Sequence, residues 1–383
     1  MNSNELKMNK RSLFDEENVY EVKKTKKRDW KLVENNNMYD YGDGVAWFRG
    51  AMIGKGSFGC VFVASLKNPK ARYSSYPSVM AVKSAEVSVS GSIQKEKEVM
   101  DNIRGCRNVI KCFGEEITNG ENGQMVYNLL LEYGSGGTLA DVIKSCKGEG
   151  LREVDVRRYA RSIVVGLNHI HKKGYVHCDL KPENILLVSS YGKGDFVAKI
   201  GDFGLAKRAN RMKKKKNKLG CYWRGTPMYF SPEAVINGVQ EQPADIWAVG
   251  CIVFQMLTGK PIWFSDQELV MDEDVLSRIC DENVSPFVSS TLSAEAISFL
   301  KGCLCRKVMC RLTANMLLNH PFLKGLVDDN AKEIEEPHEV FDINAITSSS
   351  SFSDDDNDGD SWPFSCSDDS SSYNSVSFRS DET

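Results

Sequence analysis

The sequence predicts an α+β fold in two lobes, a small β-rich lobe with one helix and a larger, mainly helical one. Three observations predict it. Short β-branched and aromatic runs, separated by Gly-, Pro- and Ser-containing turns, occupy residues 47–133 around a single helical stretch. After Gly137 the apolar residues recur at helical spacing. Between the two regimes lies "YGSGG", residues 133–137, a break suited to a hinge between lobes.

Residues 1–46 are polar, rich in Asn and charge, and low in aliphatics, which predicts a disordered arm. The arm has no apolar core of a secretory signal, and no apolar run in the chain is long enough to span a bilayer. The 12 cysteines are therefore expected as free thiols in a reducing compartment, which points to the cytoplasm. Residues 23–28, "KKTKKR", read either as a nuclear-import signal or as a solvated basic run.

"WFRGAMIG", "CVFVASL", "VMAVKSA" and "MVYNLLLEY" predict strands. In "SGSIQKEKEVMDNI" the positions Ile93, Glu96, Val99, Met100 and Ile103 share one helical face, with Glu98 the rival inward carboxylate. Helices follow at "TLADVIKSC", "EVDVRRYARSIVVGLNHIHKKG", "ADIWAVGCIVFQMLTGK", "LSAEAISFLKGCLC" and "TANMLLNHPFL". The folded region spans residues 47–323, with lobes at 47–133 and 137–323. Residues 326–383, rich in Ser and Asp, form a tail that cannot bury enough apolar surface to fold. From Leu326 the chain has 16 acidic residues against Lys332 and Arg379, so residues 1–325 carry +11 of a net −3. A basic body suits an anionic ligand, or the tail itself. Cys303, Cys305 and Cys310 form too weak a pattern for zinc and read as small apolar residues of a core helix.

"IGKGSFGCV", Ile53, Gly54, Lys55, Gly56, Ser57, Phe58, Gly59, Cys60 and Val61, places GxGxxG between two strands. Glycines there let backbone approach phosphate oxygens. A dinucleotide fold would need this motif to enter a helix, but another strand follows, which favours a hairpin over phosphates. Lys83 lies among Val79, Ala81 and Val82, so its charge is costly unless it meets an anion. A phosphate and a helix carboxylate, Glu96, are the available partners. In "HCDLKPEN", Asp179 can accept a hydroxyl proton, Lys181 can neutralise phosphoryl charge, and Asn184 offers a hard oxygen to Mg²⁺. In "KIGDFGLA", Asp202 is a second carboxylate suited to Mg²⁺.

These motifs, in this order and with "GTPMYFSPE", "DIWAVG" and "CRLTA", resemble the eukaryotic protein kinase catalytic domain over three quarters of the chain. "DLKPEN" resembles the Ser/Thr branch, and the wider set is similar to plant MEKK-like mitogen-activated protein kinase kinase kinases. The resemblance implies ATP and Mg²⁺ as cofactors and MAP kinase kinases as protein substrates. It implies that Ile53, Val61, Ala81 and Leu186 enclose adenine, with Leu131 as gatekeeper and Glu132 and Tyr133 as hinge. Asp179 and Lys181 become catalytic, and Asn184 and Asp202 metal ligands. Met100, His177 and Phe203 become a stacked spine, Thr226 a partner of Asp179 and Lys181, and Glu233 with Arg311 a bracing ion pair.

Two departures stand together. Cys178 occupies the position where most such kinases carry an Arg that pairs with an activating phosphate. Residues 205–225 also contain no Ser or Thr, and Tyr222 is their one hydroxyl. With Lys83, Asp179, Asn184 and Asp202 present, this reads as altered control and not decay. The same stretch holds nine Lys or Arg, including residues 213–216. They suit an acidic partner, the chain's own tail, or solvent. A pseudokinase scaffold that binds cascade partners without turnover is the alternative, and the retained residues argue against it. Specific nucleic-acid binding lacks aromatic interleaving and a recognition fold.

Overall fold

Alternation along the first strands builds a sheet with one face on a core and one face on a cleft. The computed structural model describes residues 41–56, 58–68, 76–120, 122–190, 196–209, 223–263, 271–281 and 292–324. The chain divides into two units, Met1–Val327 and Asp328–Thr383, and every described residue lies in the first. The run at 23–28, Ser57, Tyr222, the lysines at 213–216 and the acidic tail fall outside the described residues.

Strands β1 (Trp47–Gly56), β2 (Gly59–Leu66), β3 (Val79–Glu86), β4 (Cys112–Asn119) and β5 (Met125–Leu131) form an antiparallel sheet. Its order is β1-β2-β3-β5-β4. In β2 the residues Cys60, Phe62, Ala64 and Leu66 are buried, so Val61 and Val63 face the other side. Val61 pairs with Lys83, and Ala81 with Leu131, which puts all four side chains on the cleft face. Helix α1 (Gly91–Asn102) buries Ile93, Glu96, Val99 and Met100, while Glu98 is exposed. Helical period thus decides for Glu96 as the inward carboxylate.

Among the described residues, 41–45 pack, although they lie inside the stretch the sequence assigned to a disordered arm. Tyr41 is buried against Phe62, and its carbonyl accepts from Thr118 Oγ1 at 3.1 Å. The Arg49 guanidinium lies 5.0 Å from the Trp47 ring and 4.8 Å from Phe62, and donates to Gly42 O. The Glu116 carboxylate accepts from Val45 N and Trp47 Nε1. These partners are 69 and 71 residues away in sequence, so no local pattern announces them.

The larger lobe contains α2 (Leu139–Ser145), α3 (Glu153–Lys172), α4 (Pro232–Asn237), α5 (Gln242–Thr258), α6 (Asp272–Cys280), α7 (Ala294–Cys303) and α8 (Ala314–Leu318). Thr138 and Asp141 cap α2 reciprocally. Short strands β6 (Tyr175–Val176) and β9 (Lys207–Arg208) pair, as do β7 (Ile185–Ser189) and β8 (Phe196–Ile200). Helix α5 is apolar on every side, "IWAVGCIVF", and is buried all round. Arg311 braces this lobe: it donates to both Glu233 oxygens, at 2.6 and 2.9 Å, and to the carbonyls of Cys305 and Pro243.

Of the three clustered cysteines only Cys303 is a core helix residue; Cys305 follows α7 and Cys310 is exposed. No group of His, Cys, Asp or Glu among the described residues could hold a metal by itself. No helix there is long and apolar enough to cross a membrane.

Candidate active site

Between the two lobes lies a cleft of about 940 Å³, at the upper end of ordinary ligand sites. Ile53, Gly54, Lys55, Gly56, Phe58, Gly59 and Val61 line it from the β1–β2 hairpin. Ala81 and Lys83 line it from β3, Leu131 from β5, Glu132 and Tyr133 from the hinge, and Leu186 from β7. Cys60 does not: its side chain is buried with Tyr41, Phe62 and Val126. Its neighbour Val61 takes the cleft face, and adjacent strand residues point to opposite sides. The hinge amide of Glu132 donates to Lys111 O at 2.9 Å, and its carboxylate meets the buried Lys199 ammonium at 2.7 Å. That ion pair was not foreseen; the signal was a lysine inside the apolar strand "FVAKI".

Lys83 is the centre of the site. Its ammonium sits 2.6 Å from Glu96 Oε2 and 3.0 Å from Asp202 Oδ1. Burial opposes its charge, but the two carboxylates outweigh burial and hold the ammonium above its ordinary range. Burial likewise acts to raise Asp202, and Lys83 with the Gly204 amide holds it below the usual carboxylate range. Burial dominates at Glu96 and pushes it up, against the pull of Lys83. Glu96 Oε1 also accepts from Phe203 N at 3.1 Å, tying α1 to the segment after Asp202.

Asp202 adopts φ +55°, sparsely populated outside glycine, which turns its carboxylate toward the cleft. Phe203 is fully buried and meets His177 edge-on at 5.1 Å between ring centroids, and Met100 is buried in the same hydrophobic core as Phe203. His177 Nδ1 accepts from Asp179 N and Nε2 donates to Gly201 O, which sets the tautomer with the proton on Nε2.

The catalytic-loop residues form a second cluster. Asp179 Oδ2 accepts from Lys181 Nζ at 2.9 Å, and Oδ1 accepts from Thr226 Oγ1 at 3.0 Å. Lys181 Nζ also donates to Thr226 Oγ1 at 2.9 Å. The anticipated meeting of Asp179, Lys181 and Thr226 is present. Asn184 Nδ2 donates to Asp179 O at 2.8 Å, leaving Oδ1 for a ligand. Asn184 Oδ1 and the 40 % exposed Asp202 side chain are hard oxygens on one cleft, the donor type that suits Mg²⁺.

What holds this loop is Asp245, a role the sequence reading missed. It is a buried acid in the otherwise apolar α5 and accepts from His177 N at 2.9 Å, from Cys178 N at 3.0 Å and from His171 Nε2 at 2.9 Å. A lone Asp in "ADIWAVGCIVF" was the available signal. The Asp245 bond fixes Cys178 at φ +68°, a strained conformation for a residue with a side chain. Burial pushes the Cys178 thiol up to about 12, with Asp245 adding and Lys207 and Arg224 opposing. The thiol is therefore protonated and inert at neutral pH. Gly225, at φ +110°, packs against the Cys178 carbonyl and brings Thr226 to Asp179.

The family described as "Protein kinase domain" matches residues 47–323. Among curated proteins, mitogen-activated protein kinase kinase kinase 20 of Arabidopsis thaliana is 41% identical over 288 residues, 75% of this chain and 81% of that protein. Mitogen-activated protein kinase kinase kinase 17 of the same plant is 37% identical over 277 residues, 72% of this chain and 69% of its own length. A MAP kinase kinase kinase of Schizosaccharomyces pombe is 30% identical over 75% of this chain, but only 25% of that longer protein is covered.

Proposed function

The chain belongs to the protein kinase family, and within it we propose a Ser/Thr kinase that phosphorylates MAP kinase kinases, a mitogen-activated protein kinase kinase kinase. The observation that carries this reading is Lys83 bridging Glu96 and Asp202 while Asp179, Lys181 and Thr226 meet below the same cleft. Both clusters needed for phosphoryl transfer are assembled together. The plant and yeast relatives, all named as kinases of this tier, support the substrate class.

In this reading Ile53, Val61, Ala81 and Leu186 enclose the adenine of ATP, and the hinge at Glu132 and Tyr133 meets its polar edge. The glycine hairpin covers the phosphates, and Lys83 holds them at the position that Glu96 fixes. Asn184 and Asp202 would hold Mg²⁺, and a bound Mg²⁺ would supply charge neutralisation for the phosphates of ATP. Asp179 accepts the proton of the attacking hydroxyl, and Lys181 offsets charge on the transferring phosphoryl group. Thr226 orients both.

The proposal extends to control. Cys178 cannot pair with a phosphate, and the stretch 205–225 offers no Ser or Thr to carry one. The enzyme is therefore active without phosphorylation there, under control of abundance, partners or its own tail. The test is transfer from ATP to a panel of inactive MAP kinase kinases, with Asp179→Asn as the control. Transfer to at least one panel member, absent in the variant, is expected. Transfer to a generic protein alone would remove the cascade assignment, and no transfer with retained partner binding would favour a scaffold.

A further inference from the structure

The stretch between the two cleft motifs has both of its described ends near one another's anchors: Lys207 in β9 and Arg224, just before Gly225 and Thr226. Both ends are held by one short stretch, Gln240, Glu241 and Gln242, which leads into α5. Lys207 Nζ meets Glu241 Oε1 at 2.7 Å, with both side chains about three-quarters buried. The Gln240 side-chain amide reads the backbone of Arg224 twice. Its Oε1 accepts from Arg224 N at 3.1 Å and its Nε2 donates to Arg224 O at 2.7 Å. Arg224 in turn reaches back with Nη1 toward Leu205 O at 3.5 Å.

The stretch is itself anchored. Gln242 Nε2 donates to His171 O at 2.8 Å, at the end of α3. Three residues on, Asp245 holds the backbone of His177 and Cys178. One rigid helix start thus fixes the catalytic loop with one set of groups and both ends of the segment with another. In the resembling kinases, an Arg at the position of Cys178 would couple these parts through a phosphate. Here the coupling uses neutral amide bonds and a carboxylate already in the chain.

We propose that Gln240 and Glu241 form a clip that replaces the activating phosphate, holding Lys207 and Arg224 so that Thr226 reaches Asp179 and Lys181. The proposal rests on the kinase reading above and names the residues that make it independent of phosphorylation. Gln240 and Glu241 are positioning residues: they touch neither the nucleotide cleft nor the reacting atoms. A partly exposed ion pair contributes little alone, so the two-point amide contact to Arg224 should matter more than the Lys207–Glu241 bridge.

The experiment uses the full chain, stripped of phosphate by a phosphatase, and steady-state transfer to a MAP kinase kinase. Gln240→Ala with Glu241→Ala should lower kcat/KM for the protein substrate about tenfold while the KM for ATP stays within about twofold. A general structural loss would move both. Glu241→Lys alone should weaken transfer, and Lys207→Glu added to it should restore transfer to within about threefold of wild type. This swap decides the matter if the double alanine variant does not fold. An unchanged kcat/KM for the protein substrate in the alanine variant, or no recovery in the swap, overturns the clip while leaving the kinase reading in place. A wild-type chain that transfers to no protein overturns the kinase reading instead.

Discussion

Replacing Gly225 by Ala puts a single methyl group where the catalytic loop and the substrate-facing loop touch. An ideal Cβ there would lie 2.4 Å from the Cys178 carbonyl oxygen and 3.2 Å from Asp179 Oδ1. Real Cβ contacts essentially never fall below 3.0 Å, so the loop must retreat by at least 0.6 Å, the difference between 3.0 and 2.4 Å. The backbone is also at φ +110°, which a side chain disfavours by about 1–3 kcal/mol. The retreat carries Thr226 away from Asp179 and Lys181, which it now meets at 3.0 and 2.9 Å. Misplacement by about 1 Å can cost on the order of 10²-fold in rate, so kcat should fall about 10- to 100-fold, or about 1.4–2.8 kcal/mol in barrier. Binding of ATP, on the far side of the cleft, should change by less than about twofold. Steady-state kinetics with varied ATP and varied protein substrate separates the two. Gly56→Ala is the control for folding, since nothing lies within 4 Å of its ideal Cβ. Its thermal midpoint should match wild type. A Gly225→Ala enzyme that transfers phosphate within about threefold of wild type would refute this reasoning.

Other perturbations follow from the same geometry. Arg311→Ala leaves the Glu233 carboxylate and two carbonyls without their donor, at a cost of about 3–5 kcal/mol, so thermal unfolding should shift down by roughly 10 °C. Lys83→Met removes the cation that bridges Glu96 and Asp202, and kcat should fall by at least about 10²-fold with the far-ultraviolet circular dichroism unchanged. Burial holds His320 below its ordinary pKa, so the unfolded chain binds the extra proton first. Stability should therefore be complete above the ordinary histidine range and decline as pH falls through it. His320→Gln should flatten part of that slope in thermal melts at pH 8 to 5.5, and an unaltered slope would exclude His320 as its source.

The legible parts of the sequence were those governed by local pattern. Runs of β-branched and aromatic residues between turns marked β2 and β3, whereas the pairing of Lys83 with Val61 emerged only from the sheet register. Helical period separated Glu96 from Glu98. Strand β4 escaped because it is a sheet edge, where "CFGEEITN" has little reason to alternate cleanly. Helices α4 and α6, of 6 and 9 residues, also escaped the sequence reading, and length alone does not explain it, because α2 and α8, of 7 and 5 residues, were read. Tyr41 and Asp245 are a different case. Tyr41 is ordered by Phe62 and Thr118, and Asp245 acts on a loop 67 residues earlier, so both depend on topology. Cys60 was misplaced by reading the glycine motif as a continuous lining, when its strand alternates. Cys178 was legible as a departure, but the Gln240–Glu241 stretch that compensates for it was not, because its partners sit 16 and 34 residues away.

The central claim is that a complete kinase site is held ready by the fold without a phosphate. Its most direct test is the rate of phosphate transfer to an inactive MAP kinase kinase by the full chain after exhaustive phosphatase treatment, with mass spectrometry confirming that no phosphate remains. The account predicts a rate from the first turnovers equal to that of the untreated enzyme and abolished in Asp179→Asn. A lag that shortens as the enzyme phosphorylates itself, or loss of activity on dephosphorylation, would contradict it.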